Sequence, residues 1–302
     1  MIDCVYVATG LHDSRFTRIC VASIRFFYPN IPIRLLLGGA MRPRFLDELK
    51  CMYNVETAAV SPGNYGWGFI KLEPLFQDRP ERFLILDSDT VLLGPVLETA
   101  NNHQTDFIVD FEQQTDSRAK EIYFNWEIGE QSGFGMAQPD FLFNTGQWFA
   151  CSRVLRRADF DPWIRWSLPP RLTRPDLFKN GEQGILNFVV NEQYQKGSIT
   201  VTRVPLMRWP GFDVTDIKLP EVTRGHESPY RQVMHWAGFK APRFESLPRS
   251  DLLIHFERLY YEDHGGGGER LRLARARRYA REYRTRRFAI KLKQRLQRVM
   301  RS

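Results

Sequence analysis

Two aspartates separated by one residue follow a short apolar segment and have the residue types of a cation site. Residues 83–86 (Phe-Leu-Ile-Leu) run into Asp87, Ser88 and Asp89. On an extended backbone, alternate side chains point to the same face, so Asp87 and Asp89 face the same way. Two neighbouring carboxylates repel each other unless a cation lies between them, and Mg²⁺ and Mn²⁺ prefer oxygen ligands. Such a cation can neutralise a leaving diphosphate. Taken alone, the pair also fits a solvated turn.

Apolar segments alternate with segments of helical periodicity along most of the chain. Strands are predicted over residues 4–9, 33–37, 83–86, 107–111, 141–150 and 199–204, helices over 16–27, 43–53, 67–76, 152–166 and 181–191, and a long loop over 112–139. This alternation predicts an α/β fold, with a mostly parallel sheet covered by helices on both faces. Ligands of such sheets bind beyond the carboxyl ends of the strands, where the two aspartates lie.

The positive charge of the chain is concentrated at its C-terminal end. The 302 residues carry a net charge of +8, but residues 269–302 contain 14 Lys/Arg and 2 acids, so residues 1–268 are net acidic at −4. Residues 265–268 are all glycine, which is typical of a flexible linker. We therefore expect a globular domain over residues 1–264, a linker over 265–268 and a tail over 269–302.

The tail has the pattern of a basic amphipathic helix. It lacks proline and glycine, and Phe288, Leu292, Leu296 and Val299 recur at helical intervals. Such a helix favours an anionic membrane surface. A solvated or self-associating helix is the second interpretation. Nucleic-acid binding through the arginines is the third, and we do not expect it.

Other features of the sequence concern the location of the protein. Cys4, Cys20, Cys51 and Cys151 form no metal-ligand or CxxC spacing. The N-terminal residues lack a signal-peptide pattern, and no run of about 18 apolar residues occurs. We expect a cytoplasmic protein with reduced thiols, bound peripherally to the inner face of a membrane.

Four further motifs follow one another along the chain. They are residues 71–72 (Lys-Leu), 139–146 (Pro-Asp-Phe-Leu-Phe-Asn-Thr-Gly), 180–187 (Asn-Gly-Glu-Gln-Gly-Ile-Leu-Asn) and 235–242 (His-Trp-Ala-Gly-Phe-Lys-Ala-Pro). With the Asp87–Asp89 pair, they resemble the motifs of GT-A-fold nucleotide-sugar transferases of glycosyltransferase family 8. This is the retaining group that includes the glycogenins and bacterial lipooligosaccharide galactosyltransferases. The resemblance covers most of residues 3–242.

The resemblance implies roles for individual residues. Asp87, Asp89 and His235 would hold the cation, Mn²⁺ or Mg²⁺. The implied donor-binding residues are Ala8, Thr9, Lys71, Ser88, Asn144, Gly146, Glu182, Gln183, Gly238 and Lys240. The implied catalytic residues are Gln183, Asp140 and Lys71. Gly10 stands where the family often has an acid that helps to read uracil or ribose.

The implied reaction is transfer of glucose or galactose, with retention, from a UDP-sugar to a glycan, lipid-linked or protein acceptor. Asp140 and Gln183 are the candidates to face the reacting carbon, and front-face attack without a covalent intermediate fits equally well. Trp67, Trp126 and Trp209 could stack on sugars or pack in the core. Two other classes compete with this function: a catalytically silent module that binds a nucleotide-sugar or glycan, and an inverting GT-A transferase or nucleotidyltransferase.

Overall fold

The structure is a computed structural model and describes residues 1–59, 65–66, 68–112, 114–212, 214–262 and 268–299. The strands are β1 (Cys4–Thr9), β2 (Ile33–Leu37), β3 (Val55–Thr57), β4 (Arg82–Asp87), β5 (Thr90–Leu92), β6 (Phe107–Asp110), β7 (Gln147–Cys151), β8 (Ile164–Arg165), β9 (Arg171–Leu172), β10 (Val201–Val204), β11 (Met207–Arg208) and β12 (Val233–His235). The α-helices are α1 (Ser14–Phe27), α2 (Pro43–Tyr53), α3 (Leu97–Asn101), α4 (Asp116–Ile122), α5 (Trp126–Gln131), α6 (Glu182–Gln195), α7 (Leu219–Val222), α8 (Ser250–Glu262) and α9 (Gly268–Val299). Short 3-10 helices cover Phe69–Phe76, Arg157–Asp159, Gly225–Glu227 and Phe244–Ser246.

Seven strands form the central sheet, in the order β10-β6-β7-β4-β1-β2-β3. Neighbouring strands pair in parallel except at β7, which runs antiparallel to both β4 and β6. The predicted fold class, a mixed and mostly parallel sheet flanked by helices, is therefore confirmed.

The central strands separate two apolar cores. On β1, Val5 and Val7 pack into the core that contains residues of α1 and α8, whereas Tyr6 and Ala8 pack into the core that contains residues of α6. Successive side chains of a strand point to opposite faces, so a strand covered on both sides must be apolar at nearly every position. This is why β1 and β4 appear in the sequence as continuous apolar runs.

The predicted helix over residues 152–166 is wrong. The segment forms the 3-10 helix Arg157–Asp159 and the strand β8. Pro162 lies in its middle, and the residue before a proline disfavours the α conformation, so a continuous helix is blocked there.

Two other segments around the site differ from the prediction. The strand predicted over residues 141–150 begins only at Gln147, because the Asn144 side chain accepts a hydrogen bond from the Gly146 N–H and closes a turn. The predicted loop over residues 112–139 contains α4 and α5. The N-cap side chains Thr115 and Asn125 begin these helices by accepting backbone hydrogen bonds.

A second, three-stranded sheet joins distant parts of the chain beside the aspartates. Its order is β11-β12-β5, and β5 follows Asp89 directly. The antiparallel pairing of β12 with β5 sets His235 opposite Thr90. The Trp236 N–H also donates to the Asp89 carbonyl at 2.9 Å. The last motif of the chain is thereby brought to the end of β4.

The tail forms α9, which begins at Gly268 and packs against α8. The predicted linker lies outside the described residues except for Gly268, and the domain boundaries stay a prediction. In the part of the chain that the structure describes, no helix has the length and apolar character needed to cross a bilayer.

Candidate functional site

The two aspartates lie in a tight turn between β4 and β5. The Asp87 N–H donates to the Gly146 carbonyl at 2.7 Å, and the Ser88 N–H donates to the Ala8 carbonyl at 3.0 Å. The Thr90 hydroxyl donates to the Asp87 carbonyl at 2.7 Å. These bonds anchor the turn to the strands on both sides of β4. The carboxylates are therefore held at the end of the sheet and do not extend into solvent.

The imidazole of His235 completes a group of potential ligand atoms. His235 Nε2 lies 3.3 Å from Asp89 Oδ1 and 3.8 Å from Asp87 Oδ2, and one ligand atom from each residue lies within 4.8 Å of the others. Two buried carboxylates and a buried imidazole thus meet at the end of β4. Neighbouring carboxylates repel each other unless a cation lies between them. Two carboxylates and one imidazole suit a divalent cation such as Mn²⁺.

Gly146 leaves space for this imidazole. A Cβ on residue 146 would overlap His235 Cε1 and would lie 2.9 Å from Asn144 Oδ1. The absence of a side chain at this position therefore lets the ring pack against the backbone. This packing gives Gly146 a role in the candidate metal site in addition to the donor contact that the sequence predicts.

Lys71 is buried behind the aspartates and not on a solvated helix surface. Its Nζ lies 3.1 Å from Asp87 Oδ1 and 2.6 Å from Glu182 Oε1, and it donates to the Thr145 carbonyl at 3.0 Å. Burial opposes a charged ammonium, but the charges of Asp87 and Glu182 hold the pKa of Lys71 above its ordinary value. Lys71 thus links the candidate metal ligands to the first turn of α6. We call Asp87, Asp89, His235, Lys71 and Glu182 the metal-site cluster.

Lys240 supplies positive charge on the open side of this cluster. Its Nζ lies 3.1 Å from Asp89 Oδ2 and 3.3 Å from Asp13 Oδ1. Burial opposes ionisation of Asp89, but the contact with His235 and the charge of Lys240 hold the pKa of Asp89 well below its usual range. The carboxylates of Asp13, Asp87, Asp89 and Glu182 face the ammonium groups of Lys71 and Lys240. With a neutral imidazole, the form that binds metals, this leaves an excess of negative charge for a cation.

A cavity of about 990 Å³ opens over the metal-site cluster. Nine of the residues that the resemblance gives a metal, donor or catalytic role line it: Lys71, Asp87, Asp89, Asn144, Glu182, Gln183, His235, Gly238 and Lys240. They come from elements far apart in the chain. The sequence motifs of the candidate metal ligands and of the candidate sugar contacts therefore meet in one cavity.

Other predicted residues lie around this cavity without lining it. The carbonyls of Ala8 and Thr9 accept backbone hydrogen bonds from Ser88 and Gly38, and the Thr9 side chain contacts Thr17. The neighbouring wall of the cavity is formed by residues 10–13. Ser88 and Gly146 contribute through the backbone bonds and the packing described above.

Asp140 also lies outside the cavity lining. Its side chain is exposed, and its N–H donates to Asn191 Oδ1 at 2.9 Å. The structure therefore does not bring Asp140 to the other candidate catalytic residues.

Of the three tryptophans considered for sugar stacking, Trp209 lines the cavity. Its indole N–H donates to the Ala237 carbonyl at 3.2 Å. Trp126 is buried against Phe124. Trp67 lies outside the described residues.

The cavity contains acids that sequence reasoning missed. Glu112 lines it and accepts hydrogen bonds from the Tyr123 hydroxyl and from Gln114 Nε2. The rule that ligands bind beyond strand ends could have identified Glu112, because it follows β6 as Asp87 ends β4. Asp13 lies just before α1, close to the position where Gly10 lacks the acid of the family pattern. Arg286 of α9 also lines the cavity, and no local sequence signal marks it.

The chain is similar in fold to several solved glycosyltransferases. The bifunctional glycosyltransferase WbbM superposes with a TM-score of 0.55 at 15% identity, over 84% of this chain and 49% of WbbM. The chain thus spans about half the length of that protein. The galactosyltransferase LgtC, solved with donor and acceptor sugar analogues, gives 0.53 at 16% identity over 85% of this chain and 94% of LgtC. The glycosyltransferase GlyE of Streptococcus pneumoniae gives 0.50 at 14% identity, over 84% of this chain and 60% of GlyE.

The chain has a GT-A-like fold. This confirms the fold that the resemblance implies. No protein-family model and no curated protein matches the sequence. At such low identity the likeness shows the GT-A architecture alone, because one fold can carry many different activities.

Proposed function

We propose that the protein is a retaining, metal-dependent glycosyltransferase of family 8 type, which transfers glucose or galactose from a UDP-sugar. The observation that carries this proposal is the meeting of two sets of residues in one cavity. Asp87, Asp89 and His235 suit a divalent cation, and Glu182 and Gln183 lie in the same cavity. The glycosyltransferase activity of the solved proteins that share the fold supports it.

The cation, Mn²⁺ or Mg²⁺, would be held by Asp87, Asp89 and His235. When bound, it would supply positive charge to the diphosphate of the donor as the bond to the sugar breaks. Lys240 adds a second positive charge on the open side of the metal-site cluster. Its side chain is 37% exposed. Lys71, in contrast, has 1% of its side chain exposed and acts by positioning Asp87 and Glu182.

The sugar end of the cavity is formed by Asn144, Glu182 and Gln183. Glu182 Oε1 forms an ion pair with the Lys71 ammonium and accepts a hydrogen bond from the Thr145 hydroxyl. The buried Oε2 of the same carboxylate has no hydrogen-bond partner in the described ranges. A carboxylate oxygen held in this way is a good acceptor for a sugar hydroxyl. We propose that Glu182 orients the sugar and that Gln183 lies beside its reacting carbon.

Retention requires either a covalent intermediate or front-face attack. Of the two residues considered for the reacting carbon, Gln183 lines the cavity and exposed Asp140 does not. An amide is a poor nucleophile compared with the carboxylates that form covalent glycosyl intermediates. This supports front-face attack, with Gln183 as a polar group beside the sugar while its bond to the diphosphate breaks.

We propose that the acceptor is a glycan or a lipid-linked glycan, and that α9 binds a cytoplasmic, anionic membrane surface. Phe288 is 70% exposed, and Ile290 and Leu292 are also exposed beside basic residues of the same helix. Exposed apolar side chains among basic ones favour the interface of an anionic bilayer. Flotation with liposomes of phosphatidylglycerol and with neutral liposomes tests this: we expect binding to the former, and its absence contradicts the membrane role.

The proposed reaction is tested by donor hydrolysis across UDP-sugars with Mn²⁺ present. We expect activity with UDP-glucose or UDP-galactose, and a loss of at least about 100-fold in Asp89→Asn, because removing even an outer partner of a metal ligand can cost this much. The matched control is Asp47→Asn, the same change at an exposed position of α2. Wild-type activity in Asp89→Asn would contradict the role of the metal. UDP binding without any turnover would favour a silent binding module.

A further inference from the structure

One face of α9 is directed toward the domain. Arg272, Tyr279, Tyr283 and Arg286 are spaced by seven, four and three residues, so they lie along the same side of a helix. This face differs from the apolar stripe that begins at Phe288. Two residues of helix correspond to a rotation of about 200°, so Arg286 and Phe288 point in nearly opposite directions.

The first part of this face is held by buried charges and aromatic rings. Arg272 Nη1 lies 3.0 Å from Glu257 Oε2, and Glu257 also receives Arg15 Nε at 2.6 Å. About two turns further along, the Tyr279 ring packs on Phe244 with centroids 5.3 Å apart. All three charged groups are buried, which makes this a fixed attachment of the helix and not a loose surface contact.

The next turn of α9 reaches the loop that carries the candidate phosphate contact. The Tyr283 hydroxyl donates to the Lys240 carbonyl at 2.9 Å. The ammonium of the same lysine lies 3.1 Å from Asp89 Oδ2. The helix therefore passes beside the metal-site cluster, at the end of the cavity where the diphosphate would lie.

Arg286 lies one turn after Tyr283 and lines the cavity. Its Nε is buried and has no hydrogen-bond partner among the described residues, and no carboxylate in the described ranges forms an ion pair with it. A buried donor without a partner costs free energy, which a ligand with acceptor oxygens would recover. The planar guanidinium group donates two parallel hydrogen bonds and matches a phosphate.

We propose that α9 completes the donor cavity and that Arg286 binds phosphate oxygens of the donor diphosphate. This inference rests on the proposed function, since it assigns a further donor-binding residue to that site. It also divides the basic tail into two parts. The face with Arg286 serves the cavity, whereas exposed Phe288 and Leu292 remain available to a membrane surface.

The test is calorimetric titration of the full chain with UDP, UMP and uridine in the presence of Mn²⁺. The variants are Arg286→Ala and Arg286→Lys. The matched control is Arg284→Ala, which removes the same charge from an exposed position of the same helix. We expect Arg286→Ala to raise the Kd for UDP about tenfold, as for a lost hydrogen bond to a charged group, with unchanged uridine binding. Arg286→Lys should fall between it and the wild type.

Four outcomes would overturn the proposal. If Arg286→Ala binds UDP as the wild type does while Asp89→Asn loses Mn²⁺-dependent binding, Arg286 has no role in donor binding and the proposed function stays intact. Equal weakening by Arg284→Ala would indicate a general charge effect of the helix. An equal loss for uridine would exclude a phosphate contact. No binding of UDP by the wild type would overturn both proposals. Thermal unfolding of each variant verifies that the fold is retained.

Discussion

Two of the clusters of buried charges among the described residues differ in their hydrogen bonding. Between α1, α8 and α9 lies a helix-docking cluster, formed by Arg15, Glu257 and Arg272. Glu257 accepts from Arg15 at 2.6 and 2.9 Å and from Arg272 at 3.0 Å, and none of these side chains has a buried polar atom without a partner. In the metal-site cluster, Glu182 and His235 each keep such an atom within the described residues.

This difference separates a structural cluster from one that is arranged for a ligand. Buried polar groups that are fully paired stabilise one conformation, whereas buried groups left unpaired cost free energy in the folded chain. The helix-docking cluster attaches α9 and needs nothing more. The metal-site cluster has three carboxylates and one lysine, and a bound cation would reduce this excess of negative charge. The predictions below test that distinction.

The largest effect is expected from Lys71→Met. Loss of the ammonium leaves Asp87 and Glu182 buried without their cation, which should lower the free energy of unfolding by about 3–5 kcal/mol. Denaturant unfolding measures this, with Lys50→Met at an exposed position as the control. Mn²⁺ should restore part of the loss in Lys71→Met, because it would compensate Asp87. A variant as stable as the control would show that the metal-site cluster does not depend on Lys71.

Glu257→Gln should have the next largest effect, on the helix-docking cluster. The neutral amide leaves Arg15 and Arg272 without their shared anion, although Arg272 keeps its ion pair with Glu269. We expect a loss of about 2–3 kcal/mol and release of α9, which limited trypsin digestion detects as early cleavage at the tail arginines. Glu262→Gln, at an exposed position of α8, is the control. Digestion at the control rate would contradict the docking role.

Gly146→Ala should weaken metal binding more than it affects folding. The added methyl group overlaps the His235 ring and must displace it from Asp87 and Asp89. We expect the affinity for Mn²⁺ to fall about tenfold, in the range found for disturbed ligand orientation. Titration with Mn²⁺, followed by electron paramagnetic resonance of the free ion, measures it. Unchanged affinity would mean that His235 is not a ligand.

The smallest effect is expected at low pH. It concerns a second contact between α9 and the domain, in which Arg275 Nη1 lies 2.6 Å from Glu48 Oε1. Burial opposes ionisation of Glu48, but hydrogen bonds from Arg18 and Arg275 lower its pKa from 4.5 to about 2. Because the folded value is the lower one, Glu48 stabilises the protein above about pH 4.5, and this contribution is lost as the pH falls toward 2. We expect it to be on the order of 1 kcal/mol, since Glu48 is only partly shielded from water.

The variant Glu48→Gln isolates this contribution. Its stability should change less than that of the wild type between pH 5 and pH 3, as measured by thermal unfolding with the tail cleavage assay in parallel. Identical slopes for the two proteins would mean that Glu48 does not link α9 to the domain through its charge.

The sequence predicted the regular segments of the fold better than the irregular ones. The strands of the central sheet that are covered on both faces, such as β1 and β4, are continuous apolar runs, and α1 and α2 have clear helical periodicity. The segment over residues 152–166 was predicted wrongly because its apolar residues fit a helical spacing although Pro162 interrupts it. Local periodicity reports which face is buried, but not whether the backbone between buried residues is regular.

The candidate site was predictable only in part for a related reason. The Asp87–Asp89 pair is a local pattern after a strand. Glu112 also follows a strand and stands two residues after Asp110 at the end of β6, but it belongs to none of the motifs of the resemblance. Exposed Asp140 was favoured by its place in a motif. Motif spacing indicates order along the chain, whereas the distance of a side chain from the cavity depends on how the following turn is closed.

The sequence by itself determined the alternation of strands and helices, the position of the two aspartates at a strand end and the concentration of positive charge in the tail. Only the tertiary structure decided the partners of these residues. His235 reaches Asp89 because β12 pairs with β5. Lys71 is buried between Asp87 and Glu182 because the 3-10 helix Phe69–Phe76 packs against β2 and α6. Arg286 enters the cavity because α9 docks through Arg272. Such contacts between distant segments arise from strand pairing and core packing across the whole domain, which no local pattern contains.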